Sequence, residues 1–460
     1  MAGASNMGPT EWSAPVDFSE SPEIVSTNPI LICDSGQNTH AMWAENDDQQ
    51  MRVYYRTDRT GAWSVKNDIL SAQSIAFLDA AITPNGTLHL VWVNGNTADL
   101  MYTSAPLQFA GDARRWQPSR LLISGLGATT SVMSGAGTIR SDQNGRLNVI
   151  IARKDDESAQ SHTLYYLHSD DNGTSWSEPA TVATLVAPEP SYVFGGVALD
   201  QIGRIHVAWD MRSMQYASFS QLGYLRSVDG GISWSESVLL ATGSRPFGVA
   251  MLAVFAFGKD EIHLTWDTPD RLHRWSQDGG DTWSAPVPIM ALGAAFGGFN
   301  KLAKDSAGTL HVISAVGNGV YHATWNGSGW NPKEAVDTRS FDPHGQQFVI
   351  CQGNRLHVAY YDRTGENEIW YSTKITNASE LVRTVITASE ATPTATPLVV
   401  PEPSITPTTS TATPPPNSSQ EGTPNSSPTS SGMLPMIIGV APAGLLVIGV
   451  VIARLARRRH

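Results

Sequence analysis

Short segments of alternating apolar and polar residues run through the first 375 residues, with turn residues between them. One stretch shows the pattern well, because residues 194–199, 205–210, 222–226 and 234–240 each read as a strand. β-Branched and aromatic residues are enriched inside these segments, and Gly, Asn and Asp lie between them. The stretch therefore predicts a unit of four short strands.

This unit recurs along the chain. Its second strand carries an apolar residue, a histidine, two small or apolar residues and an aromatic, as in Leu88-His89-Leu90-Val91-Trp92. Complete and weaker copies, spaced 46 to 59 residues apart, begin at Thr39, Leu88, Leu147, Ile205, Ile262, Leu310 and Leu356. Seven units of four strands predict an all-β fold, a seven-bladed β-propeller over residues 8–375.

Three octapeptides of the form S-x-D-x-G-x-[S/T]-W follow the third strands of three units. Their fixed positions are Ser169, Asp171, Gly173 and Trp176; Ser227, Asp229, Gly231 and Trp234; and Ser276, Asp278, Gly280 and Trp283. The Asp can accept backbone N–H groups in a tight turn, and the Gly supplies a positive φ. The Trp can cover a neighbouring strand. We interpret the octapeptides as structural turns without a catalytic role.

The two ends of the repeat region predict how the ring closes. The seventh unit shows only three strands, the last at residues 369–373. Residues 11–16 copy residues 282–287, which follow a complete octapeptide. We expect the first strand of the chain to complete the last blade, which removes a free sheet edge.

Charge and the histidines exclude several classes of function. The net charge is −12 and no basic stripe lies within residues 1–375, so nucleic-acid binding is not expected. Histidine occurs once in each of six units, at His40, His89, His206, His263, His311 and His357. A ring spreads such residues apart, whereas a metal site needs ligands about 2 Å from one ion. We expect no metal and no cofactor.

The only two cysteines, Cys33 and Cys351, end the first strands of the first and seventh units, which become neighbours on closure. A disulfide is one alternative in an exported protein. We expect two buried free thiols instead, because the inner strands of adjacent blades should lie too far apart for disulfide geometry.

The C-terminal part of the sequence predicts a tether. Residues 376–432, rich in Thr, Ser and Pro from 391 onward, predict a disordered, extended stalk. Residues 433–453 are uncharged, and at about 1.5 Å per residue they would extend roughly 31 Å, enough for one transmembrane helix. The basic tail 454–460 should stay in the cytoplasm.

This arrangement predicts a single-pass protein of the cell membrane with its propeller outside the cell. An external N-terminal domain needs a leader, and residues 1–7 contain neither a basic nor an apolar leader region. We expect the leader to be missing from this chain. The sequence gives no indication of oligomeric state.

We expect ligands to bind on one face of the ring. The loops between strands 2 and 3 and the connections between blades share a face, and the octapeptides lie on the other. The loop residues include arginines, carboxylates and aromatics, among them Asp267 and Arg271. Guanidinium groups would pair with the carboxylate of an acidic sugar, so these loops favour a carbohydrate or surface-protein ligand.

The octapeptides, inside four-stranded repeats, resemble the Asp-box (bacterial neuraminidase) repeats of the sialidase-like propeller superfamily. The likeness covers roughly residues 10 to 375. It implies a glycan-binding or glycan-cleaving propeller, and it adds a six-bladed ring as the alternative to seven blades. Sialidases of this kind use three arginines around the substrate carboxylate, a tyrosine nucleophile activated by a glutamate, and an aspartate as acid/base.

Carried onto this chain, the resemblance gives a set of candidate catalytic residues. These are Arg153, Arg212, Arg245 and Arg363 for the arginines, Tyr192 or Tyr216 for the nucleophile, and Asp79 or Asp210 for the acid/base. The Arg-Ile-Pro motif that carries the first arginine of such sialidases has no counterpart in residues 28–33. A non-catalytic propeller that binds glycan or protein is therefore our first hypothesis. An exo-α-sialidase is the second, and a polysaccharide lyase or a scaffold is the third.

Overall fold

The computed structural model describes residues 11–22, 24–46, 50–127, 138–156, 158–214, 219–243, 250–268, 270–291, 300–317, 319–339, 342–363 and 367–384. The chain divides into two units, Met1–Glu390 and Ala391–His460, and every described residue belongs to the first. The predicted transmembrane segment 433–453, the tail 454–460 and the stalk from residue 385 onward lie outside the described ranges. Within those ranges no helix has the length and hydropathy needed to cross a bilayer.

The described chain is built from short strands. The first fourteen are β1 Val16–Asp17, β2 Val25–Cys33, β3 Thr39–Asn46, β4 Met51–Thr57, β5 Asn67–Ala72, β6 Phe77–Thr83, β7 Thr87–Asn94, β8 Asp99–Pro106, β9 Arg120–Ile123, β10 Ile139–Ser141, β11 Leu147–Lys154, β12 Ser161–Ser169, β13 Ala180–Val186 and β14 Ser191–Leu199. The others are β15 Ile205–Ser213, β16 Ser220–Ser227, β17 Val238–Gly243, β18 Ala250–Phe257, β19 Glu261–Asp267, β20 Asp270–Ser276, β21 Val287–Ala291, β22 Lys301–Lys304, β23 Leu310–Val316, β24 Gly319–Thr324, β25 Glu334–Asp337, β26 Pro343–Cys351, β27 Arg355–Asp362 and β28 Ile369–Ile375. Two single 3-10 turns, Leu107–Phe109 and Ala113–Arg115, lie between β8 and β9.

These strands form seven antiparallel sheets of four, which confirms the prediction of seven blades over the alternative of six. Blades 1 to 6 use consecutive strands: β2–β5, β6–β9, β10–β13, β14–β17, β18–β21 and β22–β25. Blade 7 contains β26, β27, β28 and, at its rim, β1. The first strands of neighbouring blades contact one another, as β2 contacts both β26 and β6, so these strands surround the central channel.

The ring closes as the sequence predicts. Val16 pairs with Tyr371 in the antiparallel ladder between β1 and β28. The Ser13 N–H donates to the Thr373 carbonyl at 2.9 Å and extends this pairing beyond β1. The N-terminal segment therefore covers the edge of blade 7 that would otherwise be open.

The blade predicted at residues 194–240 has three strands close to their expected positions, but its fourth strand begins at Val238 and not at Trp234. Trp234 leaves the sheet and packs on Tyr166 of the preceding blade, with ring centroids 5.4 Å apart. Ser235 bonds back to Arg226, which holds the chain beside the sheet until the ladder resumes. The contact of Trp234 with the preceding blade is therefore the reason why the fourth strand begins later than the sequence pattern predicts.

The octapeptides form tight turns held by their own side chains. In the first, the Ser169 Oγ accepts the Gly173 N–H at 2.8 Å and donates to Asp171 Oδ1 at 2.9 Å. Asp171 also accepts the Ser175 N–H at 2.8 Å, and hydrogen bonds from Ser175 lower the pKa of its carboxyl to about 2. Gly173 has φ +80°, and a Cβ there would collide with the Tyr102 hydroxyl. The two other octapeptides repeat these bonds.

Adjacent blades are joined by a repeated aromatic contact. A tryptophan that lies shortly before the fourth strand of one blade packs edge-on against a ring on the third strand of the preceding blade. The pairs are Tyr102 and Trp176, Tyr166 and Trp234, Tyr224 and Trp283, His273 and Trp330, His322 and Trp12, and Tyr371 and Trp63, with centroids 4.9 to 5.5 Å apart. Trp12 of the N-terminal segment takes part, so the contact also secures the closing blade.

The repeated histidines form hydrogen bonds to these tyrosine and histidine rings. His206 is buried, and its Nδ1 lies 2.7 Å from the Tyr224 hydroxyl while its Nε2 lies 3.3 Å from Asp200. His40, His89 and His357 bond a tyrosine in the same way, whereas His263 and His311 bond a second histidine. Burial lowers the pKa of His206 and lowers that of His89 to about 4, so His206 and His89 stay neutral at neutral pH.

Cys33 and Cys351 form a disulfide, so our expectation of free thiols was wrong. The first strands converge at the centre of the ring, and the two Cα atoms are only 5.7 Å apart, within disulfide range. This convergence brings the two blades closer at the channel than their separation at the rim.

The residues after β28 form a strap, defined here as residues 376–384, across the octapeptide face. The Leu381 N–H donates to the Gln352 carbonyl at 2.8 Å, and the Thr384 N–H donates to the Gly36 carbonyl at 2.9 Å. Arg383 pairs with Asp58 at 2.5 Å. The strap therefore joins blade 7 to blade 1 above the disulfide.

Replacing one of the aromatic linkers should weaken the ring. We expect Trp234→Ala to lower the free energy of unfolding by about 2 kcal/mol, because it removes a partly buried ring and its contact with Tyr166. Urea unfolding measures the effect. Ile232→Ala is the control, since Ile232 is in the same turn but 86% exposed, and its cost should stay within about 0.5 kcal/mol. Equal costs for the two variants would contradict the linking role.

The disulfide predicts that the native protein has no thiol for an alkylating reagent. In urea without reductant, iodoacetamide should add nothing, and after reduction it should add two groups, as intact mass will show. Cys351→Ser should leave one reactive thiol and cost about 2 to 4 kcal/mol of stability, since the bond closes a long loop. Labelling of two sites without reductant would contradict the bond.

Candidate functional site

The two faces of the ring differ in what their polar groups do. On the octapeptide face, the turns between strands 1 and 2 bond to the octapeptides of the next blade. Arg146 in blade 3, for example, donates to the Gly230 carbonyl of blade 4 at 2.8 Å. We therefore searched for a site on the loop face, formed by the loops between strands 2 and 3 and by the connections between blades.

Blade 4 brings three predicted residues to the loop face. Tyr192 of β14 and Arg212 of β15 are direct partners in the strand ladder. The Arg212 guanidinium lies 4.5 Å from the centroid of the Phe194 ring. Asp210, two residues before Arg212, is fully buried and accepts the Leu252 N–H of blade 5 at 3.3 Å. Tyr192, Arg212 and Asp210 are therefore neighbours.

Blade 5 carries a buried ion pair next to this group. Arg271 is fully buried, and its Nη1 donates to Asn300 Oδ1 and to Ser314 Oγ, both at 2.7 Å. Its Nη2 lies 3.3 Å from Oδ2 of Asp267, which is also fully buried. Arg271 thus ties the end of blade 5 to two polar residues of blade 6.

Several hydrogen-bonding atoms of this group are unsatisfied within the described residues. They are Oδ1 of Asp210 and Nε of Arg271, while Oδ2 of Asp267 and Nη2 of Arg271 face each other as the ion pair at 3.3 Å without hydrogen-bond geometry. A buried polar atom without a hydrogen-bond partner costs about 1 to 3 kcal/mol. Such costs are concentrated at functional sites, where a ligand or a water supplies the missing partner.

Burial also raises the pKa of both carboxyls. The pKa of Asp210 rises to about 6, opposed by the positive charge of Arg212. The pKa of Asp267 also rises to about 6, opposed by Arg271 first and then by Asn300 and Arg212. The charge of Asp210 contributes to the rise at Asp267, so the two carboxyls sense each other. A carboxyl that titrates near pH 6 can act as an acid or a base under mild conditions.

Blade 7 extends the charged region. His344 Nε2 lies 2.9 Å from Asp342 Oδ1 and 3.2 Å from Arg363 Nη1. Burial lowers the pKa of His344, and Arg271 is among the charges that act on it. We call the set Asp210, Arg212, Asp267, Arg271 and His344 the loop-face cluster; it spans blades 4, 5 and 7.

Two predicted residues, Arg153 and Asp79, belong to blades that contribute nothing to this cluster. Arg153 is on blade 3, where its guanidinium lies 5.9 Å from the centroid of the Tyr165 ring. Asp79 accepts the Thr138 N–H at 2.6 Å and pairs with Arg140 at 3.2 Å, so its carboxylate joins blade 2 to blade 3.

Arg245 and Tyr216 lie outside the described residues, as do the connections 244–249 and 292–299. Among the residues that are described, no group of three or more His, Cys, Asp or Glu side chains has a geometry that could hold a metal ion. The remaining candidate arginines, Arg153, Arg212 and Arg363, lie on blades 3, 4 and 7, and each has a contact within its own blade.

Sequence reasoning missed Asn300, Ser314 and Lys301. Ser314 had a signal, because it replaces the aromatic that ends most copies of the histidine pattern and so leaves room for the Arg271 guanidinium. Lys301 begins the first strand of blade 6 beside the channel. Burial lowers its pKa to about 8, with Arg140 of blade 3 adding to the shift, and no local pattern marks it.

Comparison with solved structures found similar chains at low sequence identity. No protein-family model and no curated protein matches the sequence. Similar solved structures include a protein of unknown function from Dyadobacter fermentans, 15% identical with a TM-score of 0.47 over 79% of this chain and 98% of that one. An ulvan lyase is 11% identical with a TM-score of 0.49, covering 78% and 95% of the two chains. The intramolecular trans-sialidase of Ruminococcus gnavus is 13% identical with a TM-score of 0.42, covering 77% and 95%. Likenesses this distant do not identify an activity.

The raised pKa values predict how stability depends on pH. A carboxyl with a higher pKa in the folded protein than in the unfolded chain binds protons on folding, so its contribution to stability falls as pH rises through about 4 to 6. Relative to wild type, we expect Asp267→Asn to gain about 2 to 3 kcal/mol in free energy of unfolding between about pH 4 and pH 7. We expect Asp210→Asn to show a similar gain in free energy of unfolding over the same pH range.

Urea unfolding across this pH range measures the gain. Asp270→Asn is the matched control, because Asp270 is an exposed aspartate of the same blade. A difference between Asp267→Asn and wild type that stays constant with pH would show that the carboxyl is not held in its neutral form.

Proposed function

We propose that this chain is a membrane-anchored, cell-surface propeller that recognises carbohydrate through the loop-face cluster. The observation that carries the proposal is the fully buried group of Asp210, Asp267 and Arg271, with hydrogen-bonding atoms unsatisfied within the described residues. Sugars present hydroxyl and carboxylate groups that can pair with the partly exposed Arg212, which this buried group supports from the core side.

The rest of the loop face supports a carbohydrate ligand. Tyr192 supplies a partly exposed ring beside Arg212, and aromatic rings commonly pack on sugar faces. The octapeptide face is engaged in contacts between blades, which leaves the loop face for recognition. The resemblance of the three octapeptides to those of sialidase-like propellers points to the same class of ligand.

An exo-α-sialidase is the second candidate. It is favoured by two buried carboxyls with pKa values near 6 beside Arg212 and Arg271, a setting suited to general acid/base catalysis. Of the two acid/base candidates, Asp210 fits better, because the Asp79 carboxylate already holds the backbone of blade 3. A polysaccharide lyase would draw on the same carboxyls.

The anchor is part of the proposal. Residues 376–384 of the predicted stalk form the strap, so residues 385–432 would serve as the stalk, residues 433–453 as the span and residues 454–460 as the cytoplasmic tail. Their composition supports this arrangement. Fractionation of cells that express the chain should leave it in the membrane pellet after a carbonate wash, whereas release into the supernatant would contradict the anchor.

The purified chain should bind glycans on an array and lose this binding when the cluster is altered. We expect Arg212→Ala to weaken binding at least about tenfold because it removes a charged partner for the sugar, and Asp267→Asn to weaken binding because it removes the charge that positions Arg271. Arg115→Ala is the control, since Arg115 is exposed on the octapeptide face of blade 2. Circular dichroism confirms folding of each variant. Binding that survives both cluster variants would contradict the assignment.

Hydrolysis of a fluorogenic sialoside separates the two candidate functions. Turnover that disappears in Arg212→Ala or Arg363→Ala, but persists in Arg115→Ala, would establish a sialidase. Binding without turnover from folded protein would leave recognition as the function.

A further inference from the structure

An arginine directly precedes the apolar residue of the histidine pattern in three blades, at Arg146, Arg204 and Arg355. The first two are engaged by the octapeptide of the next blade. Arg146 donates to the Gly230 carbonyl, and Arg204 lies so close to Gly279 that a Cβ there would collide with its guanidinium. At the equivalent position in blade 7, Arg355 faces the turn of blade 1.

That turn in blade 1 is shorter than an octapeptide. The Asp58 N–H bonds to the Thr39 carbonyl, which places Asp58 where Ser169 lies in blade 3. Trp63 follows Asp58 after five residues, whereas Trp176 follows Ser169 after seven. The turn of blade 1 at the seam between blades 7 and 1 is therefore two residues shorter than an octapeptide turn.

A pocket of about 290 Å³ lies at this seam. We call it the seam pocket; its walls include Arg355, Gln352, Trp63, Tyr371, Gly61 and, from the strap, Arg383. Across the described part of the chain, neither the Arg355 guanidinium nor the Gln352 side-chain amide has a hydrogen bond or an ion pair. Gln352 has φ +54°, a left-handed conformation that costs free energy for a residue other than glycine.

The charges of the seam pocket leave one cation uncompensated. The Asp58 carboxylate accepts the Thr39 N–H at 2.7 Å and pairs with Arg383 at 2.5 Å, so these two charges neutralise each other. His357 is neutral, because burial and then the nearby Arg355 and Arg383 lower its pKa to about 3. Arg355 therefore supplies a net positive charge.

We propose that the seam pocket is a binding site for a carboxylate group, held by the Arg355 guanidinium and the Gln352 amide beside the packed Trp63 and Tyr371 rings. A guanidinium offers two parallel N–H donors that match a carboxylate, and the amide adds a third donor. The carboxylate can belong to a small organic acid or to a sugar acid. The seam pocket lies on the octapeptide face, so the proposal is independent of the loop-face cluster.

Isothermal titration of the complete chain with acetate, glucuronate and glucose, at constant ionic strength in chloride, tests the proposal. We expect glucuronate to bind and glucose not to bind. Binding of acetate as well assigns the site to the carboxylate group itself, whereas binding of glucuronate alone assigns it to a sugar acid. Equal heats for glucose and glucuronate, or no binding of either carboxylate, would overturn the proposal.

Two variants locate the binding site. Arg355→Gln should weaken glucuronate binding about tenfold or more, and Arg115→Gln, an exposed arginine on the same face, should leave it unchanged. Ala62→Phe keeps Arg355 but narrows the pocket at an exposed rim position, and it should also weaken binding. Unchanged affinity in both pocket variants would overturn the proposal. Glucuronate affinity lost only in Arg212→Ala would instead place the site on the loop face.

Discussion

The contact on which this ring depends is the edge of a tryptophan against a ring on the blade before it. It occurs at six junctions with centroids 4.9 to 5.5 Å apart, and the receiving ring is a tyrosine or a histidine. In blade 4, for example, His206 holds the Tyr224 hydroxyl, and Asp200 holds the histidine. The octapeptide brings the tryptophan into place, because its Ser and Asp fix the turn that leads to it.

The turns that carry this contact lie on the octapeptide face, and the polar groups of the two faces differ in their surroundings. Polar groups on the octapeptide face bond to turns and to neighbouring blades, which explains why their carboxylates stay ionised, with the pKa of Asp171 near 2. Asp210 and Asp267 on the loop face are fully buried, and burial outweighs their contacts and raises the pKa of each to about 6. The seam is the exception, because there a short turn leaves Arg355 without its usual partner.

The sequence was sufficient to predict seven blades and the closing strand, because both follow from local repeats. It was not sufficient for distances across the ring, so the Cys33–Cys351 bond was missed. Trp234 was placed in a strand because its role, a contact with Tyr166 of another blade, is not local. For the site, Asp210 and Arg212 were predicted from their loop, but their link to Asp267 and Arg271 depends on how blades 4, 5 and 6 meet. The roles of Arg245 and Tyr216 remain predictions.

Hydrogen–deuterium exchange of the complete chain, with and without a pool of sialylated and uronate-containing oligosaccharides, tests most directly that the loop face recognises ligand. The account predicts added protection in peptides covering Ile205–Ser213 and Glu261–Asp267, which contain Asp210, Arg212 and Asp267 of the loop-face cluster. The octapeptides should already exchange slowly and should not change. Protection confined to the octapeptides, or no change anywhere in the presence of the pool, would contradict the account.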